Sequence, residues 1–225
     1  MESLFLRRVP FLAEMSESDI TLVANAMRRR NYRRGEVIFR QDDPGNALYL
    51  IDSGTVKISR QGEDGREITL TLLHSGEYFG ELALLDDEPR SADAIAVEPT
   101  TVYLLPKAEF KSFLLANPHV PLQMLSAMSR MYVRRLTDAV QDAVFLDVPA
   151  RLARAIVQMH ISTPRSESQP LRTTQADLAS MIGATRESVN KWLGYFERRG
   201  WVRRSRGALS VLDAPALTRA SRGEA

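Results

Sequence analysis

The sequence contains no cysteine and only three histidines among its 225 residues. The absence of cysteine excludes disulfides, a thiolate nucleophile and a cysteine-ligated iron–sulfur cluster. His74, His119 and His160 are scattered along the chain, without the spacing of zinc ligands. We therefore expect no metal, haem or iron–sulfur cofactor.

Long apolar runs are also missing. No stretch approaches the length of a membrane span, and the N-terminus lacks the long apolar core of a signal peptide. We expect a cytoplasmic protein without a membrane partner. The content of 44% hydrophobic and 26% charged residues is close to the globular average, and the length allows one large or two modest domains.

The charge is unevenly distributed. From Phe145 onward there are 13 Lys and Arg against 7 Asp and Glu, a net charge of +6, whereas the preceding residues carry 17 against 21, a net charge of −4. A basic C-terminal third behind an acidic body indicates a polyanionic partner at one end of the molecule.

The N-terminal half changes from helical to β character. A helix is predicted to start at Ser16 or Ser18 and to end in the arginine triplet 28–30, where cations favour the helix dipole. Short β-type runs punctuated by glycines then suggest an antiparallel sandwich or barrel. These runs cover residues 37–39, 47–51, 56–58, 68–73, 92–97 and 101–105.

One stretch in this region, residues 79–92, has the groups needed to bind a cyclic phosphate and its ribose. A buried phosphodiester requires a guanidinium, hydroxyl and backbone N–H donors, and a glycine for close approach, and Arg90, Ser91 and Gly80 supply these. Glu81 could accept from a ribose 2′-OH. Residues 82–85 predict one helical turn with its N-terminus towards the anion. The alternative is an acidic surface turn, with Arg90 paired to an aspartate at 86 or 87.

The run Gly-Glu-Leu-Ala-Leu followed by Pro-Arg, from Gly80 to Arg90, resembles the phosphate-binding cassette of cyclic-nucleotide-binding domains, including the regulatory subunits of cyclic-AMP-dependent kinase. The resemblance implies a β-roll in which this cassette is the only helical interruption. It also implies a set of cyclic-nucleotide-binding residues: Gly80, Glu81, Leu82, Ala83, Arg90 and Ser91.

From Lys107 the apolar period becomes helical. A short helix is predicted over residues 108–115, followed by a long one from 119 or 120 to about 144, whose apolar and small residues recur at steps of three and four. Such a seam is either a helix packed on its own domain or half of a coiled coil. We favour a dimer seam, and hence a homodimer.

The basic C-terminal region contains a second motif. Residues 173–183 predict a capped helix ending at Gly183, and residues 184–193 begin a second helix, as in a helix-turn-helix. Residues 201–204 and 208–212 resemble a small β-wing. Arg186, Glu187, Asn190 and Lys191 cluster where a recognition helix reaches base edges. The alternative is an exposed helix with i,i+4 ion pairs, but the tight turn and wing favour DNA binding.

With both motifs in place, the chain resembles the cyclic AMP receptor protein/Fnr (Crp/Fnr) family of bacterial transcription regulators over almost its whole length. Thr-Arg-Glu-Ser-Val-Asn-Lys at 185–191 and Phe-Leu-Asp-Val-Pro-Ala-Arg at 145–151 carry the resemblance. It implies an α+β fold with a jelly-roll-like cyclic-nucleotide-binding β-roll domain at 1–118 and a dimerisation helix at 119–145. A winged helix-turn-helix follows at 146–213, and residues 214–225 are expected to form a flexible tail.

The resemblance implies a non-enzymatic homodimer that binds double-stranded DNA under allosteric control by a cyclic nucleotide. The favoured effector is cAMP, with cGMP or another cyclic nucleotide as alternatives, and RNA polymerase is an implied partner. Arg186 and Glu187 would read a palindromic TGTGA-like operator, while phosphates would be positioned by Thr173, Gln175 and Thr185.

Two departures from the family pattern qualify this expectation. Lys191 stands where relatives often have arginine. The adjacent polar pair that binds adenine in cyclic-AMP-binding relatives falls on Leu136 and Thr137, of which only Thr137 can hydrogen-bond the base. The alternative is therefore a Crp/Fnr-type regulator that binds DNA without cyclic nucleotide or responds to a different effector.

Two rival classes receive less support. The carboxylates at 81 and 86–88 lie in one short loop without a nucleophile or metal set, which argues against an enzyme. A base-reading helix argues against a regulatory subunit of another protein.

Overall fold

The structure is a computed structural model that describes residues 5–13, 15–62, 67–129, 133, 135–162 and 170–224. It divides into two compact units, Met1–Arg60 with Leu70–Arg134, and Gln61–Thr69 with Arg135–Ala225. Within the described ranges, no helix is both long and apolar enough to cross a membrane.

Two four-stranded sheets build the β-roll, in the orders β1-β8-β3-β6 and β2-β7-β4-β5. Neighbours pair antiparallel in the first sheet and along β2-β7-β4 in the second. The strands are β1 Arg28–Tyr32, β2 Val37–Phe39, β3 Ala47–Ser53, β4 Thr55–Gln61, β5 Glu67–His74, β6 Tyr78–Phe79, β7 Asp93–Ala96 and β8 Thr100–Pro106. All six predicted strands are present, and β1 and β6 are additional.

Strand β3 explains how the roll is held together. Alternate side chains of a strand point to opposite faces, and both faces of β3 are buried. Leu48 and Leu50 pack into the cluster formed with the N-terminal residues and Phe110. Ala47 and Tyr49 belong to a separate cluster that also contains Phe79. Strand β3 thus lies between two apolar clusters, and Tyr49 belongs to the second of them.

The arginine triplet is not the helix end that the sequence predicts. Helix α1, Glu17–Ala26, is capped by Ser16, whose Oγ accepts from the backbone N of Asp19 at 3.2 Å, as expected. The chain then turns at Met27, and Arg28 starts strand β1 opposite Leu104 of β8. Residues 28–30 pair with the edge of β8 instead of extending the helix, because the sheet satisfies their backbone hydrogen-bonding groups.

The cassette helix α2, Leu82–Leu85, is the only helix described between residues 32 and 106. Helices α3, Lys107–Ala116, α4, Val120–Met128, and α5, Arg135–Phe145, follow. The predicted long helix from 119 to about 144 corresponds to α4 and α5. Its continuity depends on residues 130–132 and 134, which lie outside the described residues.

The C-terminal unit contains the predicted winged helix-turn-helix. Its core includes Leu152, Leu178, Val189 and Phe196. The elements are α6 Val148–Ser162, α7 Gln175–Ile182, α8 Arg186–Arg198, the hairpin of β9 Val202–Ser205 with β10 Ala208–Val211, and α9 Ala214–Ala220. The loop predicted at 162–170 falls mostly on residues 163–169, outside the described residues.

Helix α9 corrects the prediction of a flexible tail from residue 214. Asp213 caps this helix by accepting from the backbone N of Ala216 at 2.8 Å. Leu217 and Ala220 are buried in the same core as α6. The prediction was wrong for 214–220 because two buried apolar side chains give this short segment a packing face.

Candidate functional sites

The cassette begins at a glycine whose conformation and neighbours both require it. Gly80 has a φ of +82°, and a Cβ built on it would lie 2.5 Å from Nη1 of Arg90. A side chain there would incur left-handed backbone strain and also displace the guanidinium. Close approach of the backbone to Arg90 therefore depends on Gly80.

The guanidinium of Arg90 is turned into the protein, with only 2% of the residue exposed. Its Nη1 donates to the carbonyl oxygen of Gly80 at 2.6 Å, and its Nη2 donates to that of Ala47 at 2.7 Å. The guanidinium carbon lies 4.3 Å from the ring centroid of Phe39 and 5.4 Å from that of Tyr49. Two carbonyls and two rings thus fix the cation.

Burial lowers the pKa of Arg90, and the neighbouring Tyr49, Glu81 and Asp43 oppose that shift. Its Nε is buried and has no hydrogen-bond partner, and Arg90 makes no ion pair, among the described residues. The guanidinium therefore keeps a donor and a positive charge that a bound anion could satisfy.

The acidic-turn alternative fails because Arg90 does not pair with an aspartate of its own loop. Asp87 accepts instead from Lys107, at 2.6 Å, and from Lys111, at 2.9 Å. These two hydrogen bonds lower the pKa of Asp87 from 3.8 to about 2. The loop after α2 is thereby tied to α3.

The backbone of Arg90 is held by the turn that precedes β3. The backbone N of Asp42 donates to the Arg90 oxygen, and the backbone N of Arg90 donates to the Asp43 oxygen, both at 2.9 Å. A Cβ at Gly45 would lie 2.4 Å from the Cβ of Ala83. Gly45 thus lets this turn pack directly on α2.

The structure brings three of the predicted cassette residues together: Gly80, Glu81 and Arg90. Glu81 is fully buried, and its charge acts on Arg90. Of the others, Ala83 is buried, Leu82 is partly buried and Ser91 is exposed. Thr137 lies on α5, in the other compact unit, so its contact with a base stays a prediction.

Sequence reasoning missed the surroundings of Arg90. The rings of Tyr49 and Phe79 stack with centroids 5.0 Å apart, and Phe39 packs against both. Aromatic residues are common in the strands of any β-protein, so only their inward-facing strand positions could have indicated that these rings surround Arg90. The bond to the backbone carbonyl of Ala47 could not be predicted from the pattern of side chains.

The helix-turn-helix is locally well specified. Thr174 and Asp177 form a capping box at the start of α7, in which each side chain accepts from the other's backbone N. Gly183 ends α7 in the left-handed conformation, and Thr185 caps α8 by accepting from the backbone N of Ser188 at 3.2 Å. These caps set the turn between the two helices.

The first turns of α8 present the predicted base-reading residues to solvent. Arg186, Glu187, Asn190 and Lys191 are all exposed, and the Lys191 Nζ lies 5.4 Å from the ring centroid of Trp192. The predicted phosphate contacts differ among themselves. Thr185 is exposed and Gln175 is partly buried. Thr173 is only 6% exposed, which weighs against its phosphate contact.

Asn190 belongs to a network that the sequence did not suggest. Its Oδ1 accepts from Nε2 of Gln175 and from Nη1 of Arg204, each at 3.0 Å. Arg204, from the wing, is in turn bound to Glu197, with Nε 2.7 Å from Oε2. The partners are 14 and 15 residues from Asn190, so no local spacing reveals them.

Neither site resembles a metal centre. Among the described residues, no group of three or more histidine, aspartate or glutamate side chains could hold a metal ion. The donors at the cassette suit an anion, and the exposed face of α8 suits base edges.

Two family models match separate parts of the chain. The cyclic nucleotide-binding domain model matches residues 29–117, and the Crp-like helix-turn-helix domain model matches residues 150–220. The matched ranges contain the cassette and α7–α8, respectively.

Two curated relatives match almost the whole chain. The chain is 32% identical over 221 residues to the CRP-like cAMP-activated global transcriptional regulator of Mycobacterium tuberculosis, covering 96% of this chain and 98% of that protein. It is 33% identical over 210 residues to the cyclic AMP receptor protein of Thermus thermophilus, covering 92% and 94%.

Among solved structures, the c-di-GMP responsive global regulator of Xanthomonas campestris has the same fold, with a TM-score of 0.78 at 21% identity, covering 87% of this chain and 99% of that one. The identity and coverage of the two curated relatives settle the family. The chain belongs to the Crp/Fnr family of DNA-binding transcription regulators and carries a cyclic nucleotide-binding domain.

Proposed function

We propose that the protein is a homodimeric transcription regulator whose affinity for operator DNA is controlled by a cyclic nucleotide, with cAMP favoured. The observation that carries the proposal is the buried guanidinium of Arg90, which has no ion pair and a free Nε donor within the described residues. A buried cation without an ion pair is costly, so a bound anion at this place is stabilising. The names of the Mycobacterium and Thermus relatives support cAMP.

In this proposal the cassette binds both the phosphate and the ribose. Arg90 and the hydroxyl of Ser91 donate to the phosphate, as do the backbone N–H groups of Leu82 and Ala83 in the first turn of α2. The carboxylate of Glu81 accepts from the ribose 2′-OH. The donors match the anionic phosphate of a cyclic nucleotide, and the carboxylate acceptor matches its ribose hydroxyl.

Exposed apolar side chains on two helices support the homodimer. Helix α4 exposes Leu122 and Leu125, and α5 exposes Leu136, Val140 and Val144, each more than half accessible. Steps of three and four place the residues of each helix on one face. Pairing with a second copy would bury these faces in a two-stranded seam. Thr137 would then reach the base from its own or the partner copy.

Operator reading follows from the exposed face of α8. Arg186 would pair with guanine, and Glu187 would accept from cytosine, in each half of a TGTGA-like palindrome. Two recognition helices of a dimer must lie about 34–36 Å apart to enter successive major grooves. Nucleotide binding would shift the dimer towards that spacing. RNA polymerase would be the partner of the DNA-bound state.

One observation favours a second candidate, a regulator with a different effector or none. Leu136 is 66% exposed on α5 and can neither donate to nor accept from a base. The Xanthomonas regulator, whose fold is the same, is named for a different nucleotide. The fold alone therefore does not select cAMP.

The two candidates are separated by operator binding in the presence and absence of nucleotide. A duplex selected from a random library by the full-length protein is titrated by fluorescence anisotropy without ligand, with cAMP and with cGMP. Our proposal expects cAMP to tighten binding at least tenfold. Equal affinity under all three conditions would support the second candidate.

Arg90→Lys tests the cassette in the same protein. It keeps the charge but loses the planar fork, so calorimetry should show cAMP affinity reduced at least tenfold. Arg34→Lys is the matched control, because Arg34 is an exposed residue of the same unit. Unchanged cAMP affinity in Arg90→Lys would remove the cassette assignment.

A further inference from the structure

The side-chain amide of Asn190 has a defined orientation. One atom of this amide faces both Nη1 of Arg204 and Nε2 of Gln175, at 3.0 Å each. A guanidinium can only donate hydrogen bonds, so the atom that it faces must be the oxygen Oδ1. Both lone pairs of Oδ1 are then used, and the NH₂ group of Asn190 is the part left to interact with DNA.

Arg204 is held firmly enough to maintain this orientation. Glu197 accepts from its backbone N at 2.9 Å, from its Nε at 2.7 Å and from its Nη2 at 2.7 Å. The pKa of Glu197 lies below its usual value, mainly because of the hydrogen bond from the Arg204 backbone and next because of the one from its side chain. Glu197 therefore stays ionised and fixes the guanidinium beside Asn190.

Gly194 of α8 lies beside the guanidinium of Arg204. A Cβ built there would be 3.9 Å from Nη2 of Arg204, an ordinary contact distance. The guanidinium thus lies close against the helix, one turn beyond Asn190. Asn190 is exposed, and it lies three residues after Glu187 and four after Arg186, on the same helical face.

An asparagine that reads adenine through two hydrogen bonds donates to N7 and accepts from the N6 amino group at the same time. Asn190 cannot accept, because its oxygen is already occupied twice. We propose that Asn190 is a donor-only specificity residue that favours guanine, whose O6 and N7 accept, or thymine, whose O4 accepts. It disfavours cytosine, which offers only a donor, and adenine, whose N7 accepts but whose neighbouring N6 amino group finds no acceptor on Asn190. This inference rests on the proposed reading of DNA by α8.

The test uses selection of the full-length protein, with cAMP, on a random double-stranded DNA library, followed by sequencing. The wild type should enrich a motif, and Asn190→Ala should remove base preference in one column of each half-site. In the wild type that column should contain guanine or thymine at least fivefold over adenine. In Arg204→Ala one lone pair of Oδ1 is released, so adenine should rise at least threefold in the same column.

Arg203→Ala is the matched control, since Arg203 is the neighbouring exposed arginine of β9 and does not bond Asn190. It should leave the column unchanged. Asn190→Asp supplies an independent variant if Arg204→Ala does not fold. Its carboxylate only accepts hydrogen bonds, so the column should shift to cytosine or adenine.

The outcomes separate this inference from the function on which it rests. If the wild type enriches no motif, the proposed operator reading fails and this inference fails with it. If a motif appears but the column is adenine, or is unaffected by both Asn190→Ala and Asn190→Asp, only the donor-only role is overturned. An unchanged column in a folded Arg204→Ala variant overturns it as well.

Discussion

Replacing Gly80 by alanine tests the geometry around Arg90 most directly. Both Gly80 and Gly35 have a φ of +82°. The ideal Cβ of Gly80 lies 2.5 Å from Nη1 of Arg90, whereas that of Gly35 has no neighbour within 4 Å. The two alanine variants therefore share the backbone strain, and only Gly80→Ala also displaces the guanidinium.

The expected magnitudes follow from these two contributions. A left-handed backbone at a residue with a Cβ costs about 1–2 kcal/mol in either variant. Gly80→Ala also disturbs the 2.6 Å hydrogen bond from Arg90 to Gly80, and a hydrogen bond from a charged group contributes about 1.5–3 kcal/mol. We expect Gly35→Ala to lower the free energy of unfolding by about 1–2 kcal/mol and Gly80→Ala by about 2.5–5 kcal/mol.

Urea unfolding of the full chain, at one fixed protein concentration, measures the difference. Far-UV circular dichroism follows the whole molecule, while tryptophan fluorescence follows only the C-terminal unit, because Trp192 and Trp201 are the chain's two tryptophans. Fluorescence midpoints should match the wild type in both variants. Equal free energies of unfolding for Gly80→Ala and Gly35→Ala would refute the placement of Arg90, as would an unchanged calorimetric affinity for cAMP in Gly80→Ala.

Four further predictions concern other parts of the molecule. Two lysines depress the pKa of Asp87 to about 2, so its contribution to stability is present above pH 4 and is lost between pH 4 and 2. Asp87→Asn should remove that part of the pH dependence from acid-unfolding curves. Gly194→Ala should raise the free energy of unfolding by about 0.5–1 kcal/mol, because alanine is the better helix former and its Cβ would meet only ordinary contacts; a lower urea midpoint would contradict this. Val140→Glu places a charge on the proposed seam, where Val140 is 56% exposed, and should dissociate the homodimer in sedimentation velocity at micromolar concentration. Gln141→Glu changes the neighbouring exposed position and should leave the homodimer intact. Arg186→Ala should cost about 1–3 kcal/mol of binding and relax preference at one base pair; uniform loss across single-base operator variants would exclude base reading by this residue.

Local signals predicted most of the elements correctly. The β-runs, the cassette turn and the two helices of the DNA-binding motif are each specified by residues close in sequence. Ser16, Thr185 and Gly183 act at the helix ends where their side chain or backbone freedom is needed. Such capping and turn preferences depend on a few neighbouring residues, so a single sequence contains them.

The errors have a common physical cause, because they depend on partners distant in sequence. Arg28 lies in a strand since β8, more than 70 residues later, offers an edge. Leu217 lies in a helix because its side chain packs into the core that also contains the buried residues of α6. The carbonyl of Ala47, the partner of Arg90, precedes it by 43 residues. None of these partners is indicated by local spacing.

The two sites fix an arginine in opposite environments, and this difference fits the proposed roles. Arg90 is buried, has no carboxylate partner among the described residues and is held by backbone oxygens, so its charge stays available to an anion. Arg204 is exposed, and Glu197 binds it at three points, so its charge is largely satisfied. A cation with a satisfied charge serves as a positioning group and directs Asn190. A buried cation without an ion pair attracts a ligand, because electrostatic interactions strengthen as water is excluded.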